Sequence, residues 1–124
     1  MSGEHANRAA RVNRTVRLEL PNAARRASVA GQVVLALAIT CGTGPLAGER
    51  LRRSVEAVAA IAAGSLVIDA VADRGSLDLS LAASPDEGWA DQAASMLEHH
   101  GAVRTPGGVR VQVQRTALFR VADV

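Results

Sequence analysis

The chain has 124 residues, 48% hydrophobic and 21% charged, which suits one compact domain and leaves no room for a second sizeable one. All 14 basic residues are arginine, so a Walker-A phosphate lysine, a Schiff-base lysine and a lysine general base are excluded. The formal net charge of +2 sums a basic start (Arg8, Arg11, Arg14, Arg17, Arg25 and Arg26), an acidic middle and a basic end beyond Arg104.

A lone Cys41 cannot form an internal disulfide, and no Cys/His cluster has zinc-ligand spacing, so a reducing cytoplasm is the expected compartment. The longest apolar run, Val29 to Ile39, is too short to span a bilayer, and the N-terminal arginines adjoin no signal core. With one tryptophan, one phenylalanine and no tyrosine, the chain offers little to stack on nucleic-acid bases.

Residues 1–13 lack hydrophobic periodicity and are expected to form a flexible basic arm, followed by a single domain over 14–120. Thr15 to Leu20 alternates, with Val16, Leu18 and Leu20 on one face, and predicts a half-buried strand ended by Pro21. Asn22 is placed to cap a helix running to about Thr40, apolar nearly all round and so expected to lie deep. After the breaker Cys41-Gly42-Thr43-Gly44-Pro45, a second helix is predicted from about Gly48 to Ala63. Leu51, Val55, Val58, Ala59 and Ala62 form its core stripe, Arg52, Glu56, Ala60 and Ala63 another face, and Gly64 its cap.

Two strands, Ser65 to Ala72 and Ser76 to Ala82, are joined by the hairpin signal Asp73-Arg74-Gly75. Ser84-Pro85-Asp86-Glu87 has the pattern of a capping box, which predicts a third helix with Trp89, Ala93, Met96 and Leu97 buried and Gly101 closing it. His99 and His100 are adjacent, cannot chelate one ion from a regular helix, and are assigned to its C-terminus. Ala102 to Thr105 and Val109 to Gln114 read as a terminal hairpin around Pro106-Gly107-Gly108. The expected class is α+β, a two-layer sandwich of order β-α-α-β-β-α-β-β, with helices on one face of a mixed, mostly antiparallel sheet. Its open face would carry Arg17, Glu19, Asp69, Asp78, Ser80, Arg110, Gln112 and Gln114 together with Val67 and Val71.

This order resembles the histidine-kinase-like (GHKL, or Bergerat-fold) ATPases, in the small form of the bacterial anti-sigma-factor serine kinases. The opening strand Val16-Arg17-Leu18-Glu19-Leu20-Pro21 carries the resemblance, as do the long first helix and Leu51-Arg52-Arg53-Ser54-Val55-Glu56-Ala57-Val58 in the second. The hairpin, the helix around Met96-Leu97 and the closing Thr105-Pro106-Gly107-Gly108-Val109-Arg110-Val111 also match in order. In active members of the family the second helix presents a glutamate that activates water or a hydroxyl and, four residues later, a magnesium-ligating asparagine. Here Glu56 stands at the first position, but Ala60 at the second has no donor atom. The adenine-reading aspartate falls near Ala83, without the glycines that follow it in the family, and two residues between strand and third helix leave no room for a nucleotide lid.

Glu56 is accordingly expected to pair with Arg52 or Arg53 rather than to catalyse, and no cofactor or metal is expected. What the resemblance then implies is a non-catalytic module that controls transcription by binding a sigma factor or its antagonist. A homodimer or partner contact is a further expectation, from Val67 and Val71 amid polar residues on the open sheet face. The candidate contact residues are Arg14, Arg17, Arg25, Arg26, Val67 and Val71. Two other readings stay open: a divergent ATP-binding serine kinase using Glu56, and a DNA-associated protein acting through its arginines with a steep salt dependence.

Overall fold

The computed structural model describes residues 14–114; the expected arm and residues 115–120 of the expected domain lie outside them. The order is β1 (Arg14–Leu20), α1 (Arg26–Thr40), α2 (Pro45–Ala60), β2 (Ser65–Asp73), β3 (Ser76–Ser84), α3 (Trp89–Met96), a single 3-10 turn (Glu98–His100), β4 (Val103–Thr105) and β5 (Gly108–Gln114). The strands form one open sheet in the order β1-β2-β3-β5-β4, and the class is α+β as the periodicities predict.

Every neighbouring pair is antiparallel, so the expected mixed sheet is not seen. Chain direction explains it. With two helices between β1 and β2 the chain reverses three times, an odd number, which brings β2 back antiparallel. The single α3 would make β4 parallel to β3, but β5 lies between them.

Register sorts the side chains by face. Rows such as Leu18, Ile68, Leu81 and Val109, and Val16, Ala70, Leu79 and Val111, run across the sheet. Their β2, β3 and β5 members are buried, and they meet Ala30, Val34 and Ala38 of α1 and Leu51, Val55 and Val58 of α2 in one core. At about 25 cal/mol per Å² of apolar surface removed from water, this layer is the main drive for folding. Trp89 anchors α3 to the same core, its indole N–H donating to the Val58 carbonyl at 2.7 Å.

Local rules bend where tertiary contacts compete. Asn22 does not cap α1: that helix starts at Arg26 with no side-chain cap, and the Asn22 amide donates to the Ala63 carbonyl at 3.1 Å. The second helix runs Pro45–Ala60 rather than Gly48 to Ala63, because Pro45 fits its first turn. The carbonyls of Ala62 and Ala63 then bond to Arg26 and Asn22 instead of continuing a helix. Gly64 is no helix cap; a Cβ there would run into the Ser84 carbonyl and the Pro85 ring. β3 continues to Ser84, so the capping box does not form. Gly88, at φ 87°, precedes the helix, and Asp86 caps it, its Oδ1 accepting the Ala90 N–H at 2.9 Å. The first helix is shallower than its composition implies, with Val29 and Ile39 exposed.

Candidate partner-binding site

On α2, three and four residue steps bring Glu49, Arg52 and Glu56 onto one face. Arg52 bonds Glu56 Oε2 through Nη1 at 2.5 Å and Glu49 Oε1 through Nε at 2.8 Å. Glu49 is held below the usual carboxylate range by that guanidinium. Glu56 is thus ion-paired, as its i−4 spacing from Arg52 predicts, and its side chain also lies against Gly31 of α1, where a Cβ would collide with it. Ala60 is exposed one turn further on. Beneath this face Leu51, Val55 and Val58 are fully buried and fill the space between α2 and the sheet.

At the end of β3, Ala83 is half-buried and pairs with Leu66 of β2. Only Pro85, Asp86, Glu87 and Gly88 connect β3 to α3, and Asp86 is spent on the helix start. Glu56, Ala60 and Ala83 therefore carry, in this geometry, one paired carboxylate and two methyl groups.

One contact had no signal in the sequence. His100, assigned above to a helix C-terminus, instead places Nε2 3.0 Å from Ser54 Oγ on α2. Burial, with the neighbouring His99 as the smaller cause, holds the His100 imidazole below its ordinary range. Residues 46 positions apart meet only because α3 folds back over α2. Among the described residues no group of three or more His, Cys, Asp or Glu could hold a metal ion. Cys41 is buried, and burial pushes its thiol up.

The arginines do not gather into one patch. Arg14, at the start of β1, borders a cleft of about 130 Å³ with Thr40, Cys41, Ala72, Asp73 and Arg74. Arg25 is exposed at the opposite end of α1. Arg26, expected on the contact surface, is 5% exposed. It donates to the Ala62 carbonyl at 2.6 Å and also to that of Gly64, tying α1 to the connector before β2. A planar guanidinium can satisfy two carbonyls at once, which is why an arginine can be buried there. Arg8 and Arg11 lie outside the described residues.

The open sheet face is where the sequence-chosen residues do meet. Arg17, Asp69, Ser80, Arg110 and Val103 form one cross-strand row, Thr15, Val71, Asp78 and Gln112 a second, and Glu19, Val67 and Ala82 a third. Arg17 Nη1 reaches both Asp69 carboxylate oxygens at 3.3 Å. Arg110 pairs with Asp78 through Nε at 3.0 Å and Nη2 at 2.5 Å, and Gln112 joins Asp78 at 3.2 Å. The guanidinium holds Asp78 below the usual carboxylate range. Val71, 37% exposed, stands between these pairs, Val103, 61% exposed, lies beyond Arg110 on the edge strand β4, and Val67 is half-buried. The face is a flat surface of paired charges with apolar gaps. No family model matches the chain, nor does any curated protein or solved structure.

Proposed function

We propose that this chain is a non-catalytic regulatory module that binds a protein partner, a sigma factor or its antagonist, in the manner its resemblance to the anti-sigma kinases implies. The observation that carries the reading is the state of the α2 face. Glu56, the one residue of the family's chemistry that stands in the chain, is engaged by Arg52 and packed on Gly31, and Ala60 supplies no metal ligand. A fold does not carry a function by itself; what supports binding is the surface. Its open face combines arginine–carboxylate pairs with the exposed Val71 and Val103, and arginine is enriched in protein contacts. The long first helix adds the exposed Val29 and Ile39. Arg14, Arg17 and Arg25 would steer an acidic partner helix, with faster association at low salt.

The test has two arms. Calorimetry of the full chain with Mg-ATP should show no binding, and titration against purified sigma factors and their antagonists should show a saturable complex. Micromolar ATP affinity would return the divergent serine kinase. Retention on duplex DNA at physiological salt, with no protein complex, would return the DNA-associated reading.

A further inference from the structure

Among the described residues, strand β1 is one edge of the sheet, and the hairpins reveal which of its backbone groups have no partner strand there. The two-residue loop Arg74-Gly75 makes Asp73 and Ser76 the closing, hydrogen-bonded pair of the β2–β3 hairpin. Backbone groups alternate in direction along a strand, so those of Leu66, Ile68, Ala70 and Ala72 point the other way, to β1. The loop Pro106-Gly107, closed by Thr105 and Gly108, gives the same alternation when counted back through β5 and β3. Arg14, Val16, Leu18 and Leu20, the register partners of those four β2 residues, therefore use their N–H and C=O groups inward. The N–H and C=O groups of Thr15, Arg17 and Glu19 point outward.

We propose that this edge pairs with the same edge of a second copy of the chain, antiparallel and centred on Leu18, making one continuous sheet across two protomers. Register selects this arrangement. In an antiparallel pair of identical strands, hydrogen-bonded positions must join outward-facing residues, here Thr15, Arg17 and Glu19. Centring on Arg17 or on Glu19 sets identical charges against each other at the axis, which is destabilising. Centring on Leu18 sets Arg17 opposite the partner's Glu19 twice by symmetry, on the open face. On the other face it sets Leu18 against Leu18 and Val16 against Leu20. Those three inner-face residues remain half-buried in a single chain, while their β2 partners are fully buried.

Charged residues on an edge usually guard it against pairing. The alternation of sign in Arg-Leu-Glu makes the Leu18-centred register the one that forms two ion pairs; centring on Val16 would set Arg17 against Thr15 and form none. The opposite edge offers no equivalent: β4 has three residues, and its Arg104 is drawn onto Asp91 of α3 at 2.9 Å. The inference is independent of any regulatory role.

Sedimentation of the full chain over a wide concentration range tests it. The wild type should show reversible dimerisation, weakened by salt. Arg17→Pro removes an outward N–H together with the Arg17 side chain, but no backbone bond to β2, so it should leave β1 on β2 and abolish the dimer. Glu19→Arg and Arg17→Glu should each weaken association about tenfold, by opposing like charges at both symmetric pairs. An equimolar mixture of those two variants should recover the dimer, because an all-basic edge then faces an all-acidic one. Thermal melts confirm that each variant is folded; if Arg17→Pro is not, the mixing result decides alone. A wild type that stays monomeric overturns the proposal. So does a dimer that survives Arg17→Pro in a folded variant, or a mixture no more associated than its components.

Discussion

Along β2, Leu66, Ile68, Ala70 and Ala72 are buried, while Val67, Asp69 and Val71 between them face the open side of the sheet. The two faces share one backbone and one register, yet different physics holds them. The inner face is a dry layer in which each side chain touches α1, α2 or a neighbouring strand, and any change of volume there is felt. The outer face is held by Arg17–Asp69 and Arg110–Asp78, pairs exposed enough that each contributes about 0–1 kcal/mol. Stability therefore resides on one side of the sheet, and folding constrains the residues of the other side only weakly.

Four experiments test this contrast. Leu79→Ala, at the centre of the inner layer and fully buried, should cost about 2–5 kcal/mol in urea unfolding; a loss below about 1 kcal/mol would mean that the inner layer is loosely packed. Arg26→Ala comes next, with about 2–3 kcal/mol for two charge-assisted hydrogen bonds and the carbonyls left without partners. The same substitution at exposed Arg25 should change the midpoint little, and equal effects at the two positions would contradict the burial difference.

Val67→Glu with Val71→Glu should lower stability by no more than about 1 kcal/mol, since surface changes are usually small, yet should abolish partner binding. A complex of unchanged affinity removes the open face from the site. The smallest effect is the pH dependence at His100. Its folded value lies below the unfolded one, so the unfolded chain takes up the proton first, and stability declines as pH falls below about 6.5. Above that pH His100 adds no slope. His100→Gln should flatten the dependence in that window, and an identical slope in the variant would assign it to another group.

Much of the fold is legible in the chain because it depends on short periods. The alternation in Val16-Arg17-Leu18-Glu19-Leu20 and in Leu77-Asp78-Leu79-Ser80-Leu81 marks strands and their buried faces without reference to anything distant. The same holds for the Arg52–Glu56 pair, a relation of four residues within one helix. The faults arise where a local rule met a stronger distant partner. Ser84-Pro85-Asp86-Glu87 has the capping pattern, but Ser84 is held in β3 opposite Ser65, leaving Asp86 to cap the helix. Asn22 suits an N-cap, but the carbonyl of Ala63 lies within its reach.

Residue identity at short range therefore sets the order of elements and the inner and outer sides of each strand. Long-range packing makes Arg26 a buried clamp, brings His100 to Ser54, and sets Arg14, Arg17 and Arg25 apart. It also leaves Thr15, Arg17 and Glu19 on an edge without a partner strand among the described residues. These follow from how β1 lies on β2 and how α1 crosses back to the connector before β2. Such long-range placements arise from the packing of whole faces, a sum over many side chains that no single motif records.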